Sequence, residues 1–343
     1  MPVAAPDFIK NLEAKVEEQL KAQRVGYLLG AGSSYLDNTG YPLALELWDL
    51  IKDRITDAPK RRDIQTKLDS GATGIEHALD LLDDGGAVDT PYRHLVTAAI
   101  ADLFLPKSPI LDLHVEFVRR LSRRADPCVK VFNLNYDPLI ERAAETAKVR
   151  LVDGFLGHEQ AYFNPAVFAE IFLQPRGPRA KPTLHPAGLP VHLYKLHGSL
   201  GWYEDPAQEV RRCAFNVAPP THVKRLMVPP QRRKATDTMY PPYAVLWSTF
   251  RGCLSQDAKP LHRLACLGYG FGDEHVNSVI EAAMVRSDFT LLIFTKALSD
   301  TAWQRWSSKG NAVVVTEARC SLKGAVGPGH TDLWRFERLC KEV

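Results

Sequence analysis

Phe8, Leu12, Val16 and Leu20 recur every fourth residue among charged neighbours. That spacing predicts one face of an amphipathic helix over roughly residues 7 to 23. Residues 25 to 29 form a short apolar run that ends in Gly30-Ala31-Gly32-Ser33-Ser34, and helical spacing returns over 43 to 55. A buried strand, a glycine turn and a helix in that order open many nucleotide-binding sheets. From 57 to 125 the pattern is helical throughout: Ile75, Ala78, Leu79 and Leu82 share one face, and Leu95, Ala98, Ala99 and Leu103 another. With no strand-like run in it, this stretch is expected to be a helical insertion outside the sheet.

Strand-like runs resume at 129 to 134, followed by Asn135-Tyr136-Asp137-Pro138 and a helix from 138 to 147. A short strand is expected around Val149, Leu151 and Val152. Residues 155 to 190 carry prolines and aromatics with Arg176, Arg179 and Lys181, and are expected to be a long loop or small insertion. The run 191 to 196 ends at His197-Gly198-Ser199; residues 203 to 260 are mixed and proline-rich. Residues 264 to 267 end in Gly268-Tyr269-Gly270-Phe271-Gly272-Asp273, before a helix with Val276, Val279, Ile280 and Ala283 inward. Two further apolar strands are expected at 290 to 294 and 312 to 315. Apolar runs alternating with helices predict a single α/β domain over residues 1 to 343, with a Rossmann-like, mostly parallel sheet and helices on both faces.

Composition narrows this picture without changing it. The chain has 343 residues, 45% hydrophobic and 24% charged, the profile of a globular protein with a sizeable core. No apolar run approaches the roughly 18 residues of a membrane span, and the N-terminus lacks a basic-then-apolar leader. A net charge of +3 does not point to direct nucleic-acid binding. Arg and Lys clusters at 119–124, 211–212, 224–225 and 232–234 read as solvated surface, or as a face for a partner or phosphates. The cysteines at 128, 213, 253, 266, 320 and 340 include no C-x-x-C pair, so no structural zinc site is expected. Scattered thiols fit a reducing cytoplasm.

Four unusual clusters each follow an apolar strand, and ligands of open parallel sheets bind beyond the strands' carboxyl ends. Gly30 and Gly32 suit either a diphosphate-cradling turn or an ordinary strand-to-helix turn. Asn135 and Asp137 can hydrogen-bond a polar ligand such as a carboxamide, or merely form an Asx-turn. Among 11 histidines, His197 stands out at a turn after a strand, where imidazole can act as a general base near neutral pH. His275 is a secondary candidate. Asp273 can cap the following helix, border a ligand, or do both.

With Gly-Ala-Gly-Ser, Leu-Asn-Tyr-Asp, Leu-His-Gly-Ser and Gly-Tyr-Gly-Phe-Gly-Asp-Glu-His-Val-Asn in this order, the chain resembles the sirtuin superfamily, and within it the bacterial antiphage-defence branch. The resemblance implies that Gly30, Ala31, Gly32 and Ser33 cradle the diphosphate of NAD⁺. Asn135 would position water or the nicotinamide ribose, Asp137 would hold the carboxamide and His197 would be the general base. Gly268, Tyr269 and Asp273 would border the adenosine side. Protein-deacylating sirtuins carry two zinc-binding cysteine pairs, which this sequence lacks, and Gly40-Tyr41-Pro42-Leu43-Ala44-Leu45 replaces their Gly-Ile-Pro-Asp-Phe-Arg segment. The expectation is therefore an NAD⁺ glycohydrolase that releases nicotinamide and ADP-ribose, with NAD⁺ as substrate and defence by NAD⁺ depletion. A zinc-free deacylase and a non-catalytic NAD or ADP-ribose-binding module are the alternatives. A hydride-transferring enzyme fits worst, because Tyr35 stands near where the third glycine of G-x-G-x-x-G is needed. Size and family imply a homo-oligomer, or a sensor partner such as a HerA-type translocase ATPase.

Overall fold

A computed structural model describes residues 5–44, 46–72, 74–82, 91–126, 128–158, 160–169, 173–175, 184–186, 190–214, 217–220, 222–227, 240–255 and 260–343. Its centre is a mostly parallel sheet. The strands are β1 (Val25–Leu29), β2 (Val129–Asn133), β3 (Leu151–Val152), β8 (Val191–Lys195), β12 (Arg263–Leu267), β13 (Thr290–Phe294), β14 (Ala312–Val315), β15 (Arg319–Leu322) and β16 (Ala325–Pro328). Across the sheet they run β16-β15-β14-β13-β12-β1-β2-β8-β3, and only β15 and β16 pair antiparallel. The chain steps from β1 to β2 on one side and returns to β12 on the other, so strand order reverses beside β1.

Side chains alternate between two cores, as the two-residue period of a strand requires. Tyr27, Leu29, Val131, Leu193, Ala265 and Leu292 face one core, where Leu12, Ile64, Leu79, Ile100, Phe117 and Ile140 cover them. Those come from α1 (Ala5–Lys21), α4 (Ala58–Asp69), α5 (Ile75–Leu82), α6 (Pro91–Phe104), α7 (Asp112–Leu121) and α8 (Leu139–Ala147). Of the short helices α2 (Gly32–Tyr35), α3 (Leu47–Ile51) and α12 (Phe336–Leu339), the last two add Leu47 and Phe336 to that core. Leu28, Phe132, Tyr194, Cys266 and Ile293 face the second core, against α9 (Tyr243–Leu254), α10 (Glu274–Ala283) and α11 (Asp300–Ser307). Each fully buried aromatic or aliphatic side chain contributes on the order of 1.5–3 kcal/mol. Strands covered on both faces are apolar at most positions, which is why they read as near-continuous runs, with Lys130, His192 and Lys195 as exceptions.

Four helices, α4 to α7, occupy the expected helical stretch between β1 and β2, and it contains no strand among the described residues. Residues 73 and 83–90 of that stretch lie outside the description, as do Arg176, Arg179, Lys181 and positions 232–234.

The stretch 155 to 190, expected to be a long loop or small insertion, contributes β4 (Phe155–Leu156) and β5 (Ala161–Phe163) to a second, antiparallel sheet. That sheet also takes β9 (Gly198–Glu204), β10 (Val210–Arg212) and β11 (Lys224–Met227), in the order β11-β9-β10-β5-β4. Buried Phe155, Ala161 and Trp202 hold it against the second core, and a short pair, β6 (Leu173–Pro175) with β7 (Leu184–Pro186), stands apart. Within the proline-rich 203 to 260 region lies α9, placed directly after Pro242. No helix among the described residues is long and apolar enough to cross a membrane.

Candidate active site

The four sequence clusters follow β12, β1, β2 and β8, which are contiguous in the sheet and run parallel. All four therefore emerge side by side at one edge, next to the point where strand order reverses; open α/β sheets bind ligands there.

Backbone contact joins the first and last clusters. The Gly30 amide donates to Leu267 O (3.0 Å) and the Gly32 amide to Gly268 O (2.9 Å). A methyl group on Gly30 would lie 2.6 Å from Tyr269 Cα, and one on Gly32 2.8 Å from Gly268 Cα. Gly268 is left-handed (φ +65°), and a Cβ there would meet the Ser33 nitrogen at 2.4 Å. Glycine at these places is required by the close approach of two turns. The Ser33 and Ser34 amides bond back to Gly30 and Ala31 carbonyls, both at 3.0 Å, closing the turn on itself.

Asn135 ties the second cluster to the first. Its Nδ2 donates to Gly30 O (3.0 Å), Ser34 Oγ (2.8 Å) and, at 3.3 Å, Ser33 Oγ. A carbonyl only accepts, so the group facing Gly30 must be the NH₂ end of the amide. Asn135 Oδ1 takes no donor among the described residues and is the atom left to accept from water or a sugar hydroxyl. The Ser34 hydroxyl passes the bond on to Asp137, whose Oδ1 also accepts from the Leu139 amide (3.1 Å). Asp137 is buried, which pushes its carboxyl above the usual range, while the charge of Lys195 and these hydrogen bonds pull it down.

His197 sits where β8 of the main sheet passes into β9 of the second. Its Nδ1 lies 3.2 Å from Leu134 O, one residue before Asn135. Its Nε2 lies 3.1 Å from Asp273 Oδ2, with both side chains more than nine-tenths buried. Asp273 Oδ1 caps α10, accepting from the amides of His275 (2.9 Å) and Val276 (3.4 Å). Trp247 closes this side, donating to Leu196 O (3.0 Å) and packing on His275 at 4.2 Å between ring centres. The Tyr269 hydroxyl bonds to Asn277 Oδ1 (3.0 Å) and to the Asp273 backbone, bracing the last cluster.

Three contributors were not singled out from sequence. Lys195 is buried and donates to Glu141 Oε1 (3.0 Å), Tyr136 O (3.3 Å) and Asp137 O, clamping the loop that carries Asn135. Glu141 is pushed up by burial and drawn back by Lys195. His114 on α7 packs behind the first turn against Phe336 and contacts the Ser33 backbone; burial lowers it to about 4, so it is neutral. A lysine inside an apolar strand, as in Val-His-Leu-Tyr-Lys-Leu-His, was the available signal, because a charge with no water must have a partner.

The structure therefore brings Gly30, Ala31, Gly32, Ser33, Asn135, Asp137, His197, Gly268, Tyr269 and Asp273 to one edge of the sheet. It turns Asp137 inward onto Ser34 and Leu139, and Asp273 toward His197. No curated protein matches the chain in a sequence search. The model of the SIR2-like domain family matches residues 129–313, which span the Asn135, His197 and Gly268 clusters and over half of the 343 residues, and the chain belongs to that family.

Proposed function

We propose that this chain hydrolyses the bond between nicotinamide and ribose in NAD⁺, releasing nicotinamide and ADP-ribose. Membership of the SIR2-like family fits an NAD-dependent activity in general. The observation that supports the specific reading is the chain of contacts through Asn135: its amide bonds to Gly30 O of the first turn, and His197 contacts Leu134, the residue preceding Asn135.

Nicotinamide leaves NAD⁺ as a neutral molecule, so the leaving group needs no protonation. What remains is to orient it, stabilise an oxocarbenium-like ribose and deliver water. Asn135 Oδ1 accepts from the attacking water. His197 takes the proton as the water oxygen bonds C1′ and the C1′–N bond breaks; the proton then passes to solvent. General-base help of this kind is worth about 10²–10⁴-fold. Gly30, Ala31, Gly32 and Ser33 are assigned to the diphosphate and Gly268 and Tyr269 to the adenosine-facing border; Asp137 and Asp273, expected at the carboxamide and the adenosine side, are turned onto Ser34 and His197 instead. Such an activity drains a cellular pool and has to be restrained, which supports a role in antiphage defence under control of a homo-oligomer or a sensor ATPase.

Purified protein incubated with NAD⁺, with and without an acylated peptide, tests this by nicotinamide release. Release without peptide, lost in His197→Gln and Asn135→Ala, is expected. Release only with peptide would make the chain a deacylase, and undiminished turnover in both variants would refute the site.

A further inference from the structure

The contacts of His197 are incompatible with a free base in this conformation. Leu134 O is a carbonyl and can only accept, so the proton facing it must sit on Nδ1. In the neutral ring, Nε2 would then present its lone pair to the Asp273 carboxylate at 3.1 Å, two acceptors face to face. A second proton on Nε2 turns that repulsion into an ion pair between buried groups. The carboxylate cannot easily turn away on its own account, because its other oxygen caps α10. The neighbouring Glu274 is engaged elsewhere, by Arg305 at 2.7 Å and 2.9 Å.

We infer that Asp273 is a latch. It holds His197 as a doubly protonated imidazolium that cannot accept a proton, and a hydroxyl-bearing substrate must displace it. The inference rests on the proposed role of His197 as base. When a ribose hydroxyl or the attacking water replaces Asp273 Oδ2 at Nε2, the second proton loses its carboxylate acceptor. That proton leaves to solvent, Nδ1 keeps its own on Leu134 O, and the Nε2 lone pair accepts the incoming O–H. Asp273 is thus a positioning residue of the opposite sense to the carboxylate of a hydrolase triad, which leaves the far ring nitrogen free. The binding-competent state is a fraction of the population, and apparent affinity is reduced by that fraction.

The test uses Asp273→Asn and Asp273→Ser, both of which retain a helix-capping oxygen. In Asn the NH₂ would donate to Nε2 and favour the neutral ring. Ring nitrogen NMR of ¹⁵N-histidine protein, assigned with His197→Gln, is expected to show both His197 nitrogens protonated at pH 7.5 in the wild type. Nε2 is expected to be unprotonated in Asp273→Asn. Turnover of NAD⁺ at subsaturating concentration is expected to rise about fivefold or more in both variants, the factor equivalent to about 1 kcal/mol of lost ion pairing. An unprotonated Nε2 in the wild type overturns the latch. So does a fall in turnover in variants that melt like the wild type, which would make Asp273 a supporting carboxylate. If no protein releases nicotinamide, the proposed reaction fails, and the spectra still decide the latch.

Discussion

Replacing Lys195 by Met removes the cation from a site buried away from solvent. Lys195 is 1% exposed and Glu141 3%, and the ammonium serves three acceptors at once: Glu141 Oε1, Tyr136 O and Asp137 O. Tyr136 O would keep the Ser199 hydroxyl and the Leu200 amide, both at 3.1 Å. Glu141 would be left as a buried carboxylate whose Oε2 already lacks a hydrogen-bond partner, and Asp137 O would lose its ammonium donor. Removing one member of a buried pair costs about 3–5 kcal/mol. At about 2.1 cal/mol/K of unfolding entropy per residue, that lowers the melting temperature of a chain this size by roughly 4–7 °C. The same principle predicts recovery in the double variant Lys195→Met/Glu141→Leu. Burial pushes the Glu141 carboxyl up despite the nearby cation, so desolvation outweighs attraction and the pair is replaceable by apolar groups. Only the Asp137 carbonyl remains short of a donor, at about 1–2 kcal/mol. Urea unfolding of the wild type, both single variants and the double variant forms a complete cycle. A Lys195→Met cost below about 1 kcal/mol, or a double variant no more stable than that single one, would refute the reasoning.

Gly268→Ala combines a left-handed residue with a Cβ 2.4 Å from the Ser33 nitrogen, for a loss of about 3 kcal/mol or more. Gly270→Ala meets nothing within 4 Å and should stay within about 0.5 kcal/mol of the wild type by urea unfolding. His114 and His192 are both lowered by burial to about 4. A depressed histidine contributes stability that is present above its unfolded value near 6.5 and lost as pH falls towards 4. Between pH 7 and 5 each should cost about 2 kcal/mol, and His114→Phe should flatten that slope in a pH series of urea midpoints. The raised carboxyls of Asp137 and Glu141 act with the opposite sign, so a slope that persists unchanged in His114→Phe would assign the acid loss elsewhere.

How far the fold could be read from the chain depended on burial. Strands β1, β2, β8, β12, β13 and β14 are covered on both faces and were legible as apolar runs; α1, with Phe8, Leu12, Val16 and Leu20 inward, was legible by its period. The second sheet was not. Three of its strands, β4, β5 and β10, have only two or three residues, and β10 offers Val-Arg-Arg, too brief for alternation to show. The hairpin of β15 and β16 was also missed, although Lys323 (φ +53°) and Gly324 (φ +84°) form a two-residue left-handed turn of the kind hairpins favour. Helix α9 hid among prolines, yet Pro242 stands at its N-terminus, a position that suits proline.

The candidate site was legible for a related reason with a different limit. Sequence position alone placed four clusters at strand ends, but not which strands were neighbours; the order β12-β1-β2-β8 supplies that. Once those strands are adjacent, each cluster becomes part of the next one's support. Gly268 packs on the Gly32–Ser33 backbone, Gly30 O receives Asn135, the residue before Asn135 receives His197, and His197 meets Asp273 beyond Gly268. The contacts link all four clusters, from the Gly268 turn through Gly30, Asn135 and His197 back to Asp273. Substituting a glycine among these contacts therefore moves the amide and the imidazole as well as the turn. Loss of activity in Gly30→Ala would not by itself establish a diphosphate contact, and a variant that alters NAD⁺ binding while the Asn135–Gly30 bond survives is the better probe of it.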